Sequence, residues 1–150
     1  MDINDDFQEI LDYAHNWNWV PDWEIVKEIY QNVPNSYSVL TPFAYSYLEE
    51  LIRSTTTQYG REFLDEKGKP KRRKVGLSLL KLAKKENKDN VEYIKTLDEI
   101  KKYFEDSSNL DNVDNRNSVD HGYMHPRFWT QESFEKLIHD IAGISKYAKF

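Results

Sequence analysis

The residues of this sequence that are best suited to chemistry lie close together, in the segment Asn115-Arg116-Asn117-Ser118-Val119-Asp120-His121. A histidine such as His121 can accept the proton of a ribose 2′-hydroxyl near neutral pH. Arg116 can bind a phosphate through paired hydrogen bonds and stabilise the charge that develops on its oxygens. Asn117 can position either group through its amide. These residue types suit cleavage of a phosphodiester bond, and that chemistry requires no metal ion.

The spacing of Arg116 and His121 leaves their geometry open. They are five positions apart, which corresponds to about 140° around an α-helix, so they do not share one face. A distorted helix, a helix start or a second copy of the chain would bring both side chains to one phosphate. The spacing alone favours an arginine in a surface ion pair and a partly buried histidine.

A zinc site is the alternative interpretation of the histidines. His121 and His125 are four positions apart, a spacing that places two ligands on one helix face. A third ligand would have to come from elsewhere, such as His139, and Gly122 and Pro126 interrupt the segment. The chain has no cysteine, which excludes disulfides, thiol catalysis and thiolate ligands. We therefore predict neither a metal site nor a cofactor.

Charge is unevenly distributed along the 150 residues, whose formal net charge is −5. Residues 1–60 carry two basic and ten acidic side chains, whereas residues 61–88 carry eleven basic and four acidic ones. A run of this kind is either a solvated linker or a patch that contacts phosphates. The candidate phosphate-binding residues are the four consecutive bases Lys71, Arg72, Arg73 and Lys74.

Apolar residues recur every three or four positions in most of the chain, which predicts α-helices. The predicted helices lie near residues 4–15, 23–32, 42–58, 75–87, 91–105 and 131–148. Predicted N-terminal caps are Asp22, Asn90, Thr130 and Thr41, the last followed by a proline at the first helical position. Gly60 is predicted to end the third helix in a left-handed conformation. No strand-like alternation is found, so we expect an all-α antiparallel bundle.

The length predicts a single compact domain. No apolar stretch approaches the ~20 residues that span a bilayer, and the acidic N-terminus does not resemble a signal peptide. We therefore expect a soluble cytoplasmic protein with no membrane partner. Trp17, Trp19 and Trp23 are predicted to form a small satellite core that docks the N-terminal helices on the bundle.

The segment Asn115-Arg116-Asn117-x-x-x-His121-Gly122 resembles the Arg-Asn-x-x-x-His signature of the HEPN superfamily. The helix predicted around Phe43–Arg53 resembles the long early helix of those domains, and an amphipathic helix follows the motif, as in the family. The resemblance covers residues 41–150. It implies an up-and-down four-helix core over that range, with residues 1–40 as an N-terminal helical extension.

The resemblance also implies an activity. Many HEPN domains are homodimeric, metal-independent endoribonucleases of toxin–antitoxin, abortive-infection or other phage-defence systems, and others only bind RNA, nucleotides or proteins. Arg116 would stabilise the phosphate, His121 would be the general base or acid, and Asn117 would be the polar residue that follows the arginine. The four bases from Lys71 to Lys74 would then contact RNA outside the active site. A catalytically inactive binding module is the alternative function.

Tyr123 extends the similarity to one branch of the superfamily. Arg116-x4-His121-x-Tyr123 resembles the pattern of HEPN toxins whose antitoxin is a nucleotidyltransferase that adenylylates the tyrosine. That similarity implies an antitoxin partner and a modification site at Tyr123. A packing role for Tyr123 is the alternative that we favour, and the following residues, Met124-His125-Pro126, differ from those toxins.

Overall fold

The computed structural model describes residues 2–60, 64–105 and 130–150. Within these ranges all regular structure is helical, apart from one isolated bridge between Leu64 and Pro70. The helices are α1 (Ile3–Tyr13), α2 (Val20–Asn32), α3 (Tyr37–Ser54), α4 (Gly76–Glu86), α5 (Val91–Ile100), a 3₁₀ turn (Lys101–Tyr103) and α6 (Gln131–Ser145). The prediction of an all-α helical fold is confirmed.

Helix α3 lies at the centre of the fold. Its residues Ala44, Tyr47, Leu48, Leu51 and Ile52 have no exposed surface. Helix α6 packs against both α3 and α1, and α4 packs against α3. The side chains of α1 and α2 belong to the same buried cluster as those of the later helices. Helix α3 also runs across residue 40, the predicted limit of the N-terminal extension, and that division stays a prediction.

Two of the predicted caps are confirmed by their hydrogen bonds. The Asn90 side chain accepts a hydrogen bond from the Tyr93 amide at 3.1 Å, and α5 begins at the next residue. The Thr130 hydroxyl accepts one from the Ser133 amide at 3.0 Å and begins α6 in the same way. Each cap satisfies an amide that has no partner within its helix, so the signal is local and readable from sequence.

The start predicted for the second helix is wrong. Helix α2 begins at Val20, with Pro21 in its first turn, so Asp22 lies inside the helix. The negative charge of Asp22 still lies close to the positive end of the helix dipole, where it is favourable.

The start predicted for the third helix is also wrong. Helix α3 begins at Tyr37, and Pro42 lies inside it. The Thr41 hydroxyl, predicted to be a cap, instead donates to the carbonyl of Tyr37 at 2.7 Å. Leu40 is only 7% exposed and belongs to the core. We attribute the early start to this packing, which outweighs the backbone hydrogen bond that Pro42 cannot donate.

The third helix ends at Ser54, earlier than predicted. The hydroxyls of Ser54, Thr55 and Thr56 donate to the carbonyls of Leu51, Ile52 and Arg53 at 2.5–2.8 Å. Such side-chain bonds offer the backbone an alternative to the helix. Gly60 has the predicted positive φ, 69°, but it lies in the turn beyond the helix and does not close it.

The aromatic cluster of the N-terminal helices is confirmed for two of its three tryptophans. Trp23 is fully buried, and its ring centroid lies 4.9 Å from that of Tyr47 in an edge-to-face arrangement. Trp19 contacts the same tyrosine at 5.0 Å. Trp17 is 86% exposed, so it takes no part in that core. Across the described ranges, none of the helices combines the length and the apolar character needed to cross a bilayer.

Alkaline conditions are expected to destabilise the fold through Tyr93. Burial raises the pKa of Tyr93 from its ordinary value of 10.0 to about 12, and its hydroxyl lies 2.8 Å from that of Thr55. Between pH 10 and 12 the unfolded chain therefore loses this proton while the folded chain keeps it. The free energy of unfolding should fall over that window, by about 1.4 kcal/mol for each unit of pKa difference.

Urea unfolding at stepped pH measures this effect. The variant Tyr93→Phe should be less stable at neutral pH, by about 1 kcal/mol for the lost hydrogen bond. Its stability should then fall less steeply above pH 10 than that of the wild type. The exposed Tyr13 supplies the matched control, Tyr13→Phe. Equal slopes for wild type and Tyr93→Phe would contradict the assignment.

Candidate nucleic-acid interface

The predicted catalytic residues Arg116, Asn117 and His121 lie outside the residues that the structure describes, as does Tyr123. Their arrangement therefore stays a prediction. The described chain stops at Glu105 before that segment and resumes at Thr130 after it. Both of these residues line one cavity of about 390 Å³, together with Lys102 and Lys136.

The predicted RNA-binding bases lie on a loop, residues 64–75, which we call the basic strap. Its first half folds around Asp65, whose carboxylate accepts hydrogen bonds from the amides of Lys67 and Lys69, both at 2.9 Å. The Asp65 amide donates to the carbonyl of Lys69 at 2.8 Å. Gly68, with φ of 75°, supplies the left-handed residue of this turn. The turn therefore has a defined backbone conformation.

The second half of the strap is attached to the end of α3. The Lys74 amide donates to the side-chain oxygen of Gln58 at 2.8 Å, and its carbonyl accepts from the Arg53 guanidinium at 3.0 Å. The side chains of Lys71, Arg72 and Lys74 are exposed, and that of Arg73 is half-buried. The loop therefore has an internal turn at Asp65 and is bonded to the rest of the described structure at Lys74, which distinguishes it from a flexible linker.

Arg53 connects the strap to the core electrostatically. It is 8% exposed and forms ion pairs with Glu50 at 2.6 Å and with Glu49 at 3.3 Å. Removing a guanidinium from water is costly unless its charge and its N–H groups are satisfied. Two carboxylates and the Lys74 carbonyl satisfy the charge and the two terminal nitrogens, whereas the buried Nε has no hydrogen-bond partner among the described residues. The position of the strap therefore depends on a buried ion-pair network.

Helix α6, which follows the predicted catalytic segment, is fixed by polar contacts from three other elements. The Tyr30 hydroxyl of α2 donates to Glu135. Burial, and to a smaller extent the Glu135 carboxylate, raises the pKa of Tyr30 to about 12. The Tyr103 hydroxyl donates to Asp140 at 2.5 Å. On α1, Asp6 lies 3.0 Å from Nδ1 of His139.

His139 was the proposed third ligand of the alternative zinc site. Its Nδ1 is paired with Asp6, which links the first helix to the last. No group of three or more histidine, cysteine, aspartate or glutamate side chains that could hold a metal ion is found among the described residues. The other two proposed ligands, His121 and His125, lie outside them.

Comparisons with known proteins identify no relative. No family model matches the chain, and no curated protein sequence or solved structure is significantly similar to it.

Sequence reasoning missed the residues that hold the strap. Arg53 follows Glu49 and Glu50 by four and three positions, which is the spacing of ion pairs on one helix face. That signal could have identified the network. The hydrogen bond from Arg53 to Lys74, 21 positions further on, could not be predicted from local spacing.

Replacing Arg53 by alanine should both destabilise the protein and release the strap. Loss of the guanidinium leaves Glu49 and Glu50 without this partner and the Lys74 carbonyl without its donor. We expect a loss of about 3–5 kcal/mol in the free energy of unfolding. Urea unfolding measures that loss, and limited digestion with trypsin under native conditions measures access to the strap.

The matched control is Lys88→Ala, which removes one exposed positive charge just beyond α4. It should change stability by less than about 0.5 kcal/mol. Because trypsin cleaves after lysine and arginine, cleavage within residues 67–74 should accelerate in Arg53→Ala and not in the control. Unchanged cleavage in Arg53→Ala would show that other contacts hold the strap.

Proposed function

We propose that this protein is a metal-independent endoribonuclease of HEPN type that acts in a toxin–antitoxin or phage-defence setting. The observation that carries the proposal is the motif Arg116-Asn117-x-x-x-His121. Two features of the structure support it. The described chain is all-helical, and α6 follows the motif with its start defined by Thr130.

The proposed mechanism is an attack by the ribose 2′-oxygen on the adjacent phosphorus. His121 removes the proton from the 2′-hydroxyl, and the bond from phosphorus to the 5′-oxygen of the next nucleotide breaks. The departing oxygen takes up a proton, so the products are a 2′,3′-cyclic phosphate and a 5′-hydroxyl. Arg116 stabilises the negative charge that develops on the phosphate oxygens, and Asn117 positions the reacting groups.

An isologous homodimer completes this site in the proposal. One arginine and one histidine make a sparse active site, whereas two copies related by a twofold axis supply two of each. A cytoplasmic location belongs to the same proposal. A nucleotidyltransferase antitoxin that modifies Tyr123 is the alternative to the packing role that we favour for this residue. Both the location and the antitoxin rest on the motif alone.

A catalytically inactive RNA-binding module is the second candidate function. The observation that favours it is the basic strap, whose backbone is held by Asp65, Gln58 and Arg53 independently of the motif. Such a loop can bind a phosphate backbone whether or not the chain cleaves it. The two candidates differ in a single readout, which is the appearance of new RNA ends.

Substituting either motif residue should abolish cleavage. We expect His121→Ala to lower the rate by ~10²–10⁴, the usual contribution of proton transfer. Arg116→Ala should lower it by a similar or larger factor. The measurement is cleavage of end-labelled RNA, with analysis of the product termini for the 2′,3′-cyclic phosphate.

His125→Ala is the matched control, because it removes a histidine of the same segment that has no role in the mechanism. Its activity should equal that of the wild type, and EDTA should have no effect on either protein. Inhibition by EDTA, together with equal damage from His125→Ala and His121→Ala, would replace the proposal with a metal site. Absence of cleavage by the wild type on total cellular RNA would favour the binding module.

The strap should account for much of the salt dependence of RNA binding. Each phosphate contact with a single strand contributes about 0.7 to the slope of log affinity against log salt. Changing Lys71, Arg72, Arg73 and Lys74 together to alanine should therefore lower the slope by up to about 3. Fluorescence anisotropy of a labelled single strand across a salt series measures this, with circular dichroism as the check on folding. An unchanged slope would identify the strap as a solvated loop.

A further inference from the structure

A second basic feature follows the strap along the chain, in a groove between α4 and the 3₁₀ turn. The groove has a volume of about 220 Å³ and is lined by Leu77, Leu80, Lys81, Lys84 and Lys101. The first four recur at positions i, i+3, i+4 and i+7, so they share one face of α4. Lys101 reaches the groove from the other wall. The groove is therefore lined by two leucine and three lysine side chains.

Among the described residues, one of the three lysines around this groove is paired with a carboxylate and two are not. Lys84 pairs with Asp98 of α5. Within the described part of the chain, Lys81 and Lys101 form no ion pair with a carboxylate. The acid of α4, Glu86, is bound to the amide and hydroxyl of Thr57. The two lysines without a carboxylate partner repel each other across the groove, so this pair of charges does not stabilise the fold.

The groove is continuous with the basic strap along the chain. The strap ends at Val75, and α4 begins at Gly76. Lys81 lies five residues into the helix, about 7.5 Å along its axis, and Lys84 about 4.5 Å further. Lys74 is bonded to Arg53 at the end of α3 and to Gln58 just beyond it, so these bonds place the end of the strap two residues before α4 begins.

We propose that this groove is a subsite that holds one nucleotide of an RNA strand bound along the strap. Lys81 and Lys101 contact the phosphate, and Leu77 and Leu80 contact the ribose or base. The identification of the ligand as RNA rests on the proposed function. The subsite itself is a binding surface that neither the motif nor the strap includes.

The dimensions and chemistry of the groove favour a nucleotide unit of a longer strand. Its volume is below the 300–1,000 Å³ of pockets that enclose a complete small ligand. An acidic peptide would pair with the lysines through its carboxylates, but its acidic side chains would offer no apolar surface to the leucines. A phosphodiester strand offers regular charges next to flat apolar faces, and the strap leads along the chain into the helix that forms one wall of the groove.

The experiment measures binding of a fluorescein-labelled 12-nucleotide single-stranded RNA by anisotropy at several salt concentrations. Every protein carries His121→Ala, so that cleavage does not interfere. The test variant adds Lys81→Ala and Lys101→Ala. It should bind several-fold more weakly, and its salt slope should fall by about 1.4 for the two lost phosphate contacts. The variant with Lys81→Arg and Lys101→Arg should keep the slope.

The matched control adds Lys27→Ala and Lys149→Ala, which remove the same charge from α2 and from the C-terminal end of the chain. It should bind like the parent protein, and thermal unfolding should show that all variants fold. An equal loss of affinity in test and control variants, or no loss in the test variant, would overturn the subsite. So would competition by adenosine monophosphate or by a polyglutamate peptide as strong as that of unlabelled RNA.

Cleavage by protein with an intact His121 is assayed separately on the same RNA. If that protein does not cleave but the groove variant loses affinity, the endoribonuclease proposal fails and the subsite is supported. If it cleaves but the groove variant binds normally, the subsite fails and the endoribonuclease proposal is unaffected.

Discussion

Arg53 lies at the end of the central helix with 8% of its surface exposed, and its guanidinium is shared among Glu49, Glu50 and the carbonyl of Lys74. Burial makes that charge expensive to leave unpaired, and the two carboxylates would in turn lose this partner without it. The strap is therefore attached through a contact that the core itself requires. Once Lys74 is placed, the start of α4 is placed, and with it the lysines of the groove.

Helix α6 provides a comparable constraint at the other end of the fold. His139, Glu135 and Asp140 contact α1, α2 and the 3₁₀ turn, respectively. These hydrogen bonds restrict the orientation in which α6 packs on α3, because the strength of a hydrogen bond depends on its angle and that of an apolar contact does not. Helix α6, which follows the predicted catalytic segment along the chain, is thus held by contacts with three other elements.

Features that depend on interactions between residues close in sequence were predictable, whereas features that depend on long-range packing were not. The Asn90 and Thr130 caps were predictable because each bonds to an amide three residues away. The start of α3 was not, because burial of Leu40 outweighed the local signal of Thr41-Pro42. Gly60 took its predicted conformation without ending the helix, since the hydroxyls of residues 54–56 had already done so.

The same distinction between local and long-range interactions applies to the candidate site. The four bases of the strap were visible as a run of charge, and the motif was visible as a pattern of residue types. The attachment of Lys74 to Arg53 spans 21 positions, and the groove joins Lys81 to Lys101 across the α4–α5 turn. Neither follows from periodicity, because each depends on how α3, α4 and α5 pack.

A net charge of −5 does not prevent such a surface from binding a polyanion. Charges farther apart than about 8 Å are largely screened at physiological salt, so affinity follows the charges that lie within that distance of the strand. Two of the acids in residues 1–60 are engaged by Arg53 and one by His139. Because the end of the strap is bonded to Arg53 and Gln58 and leads into α4, the backbone that carries these bases needs little further ordering on binding, and less free energy is lost than in a flexible loop. Placement of the positive charge, more than its total, decides whether this face binds RNA.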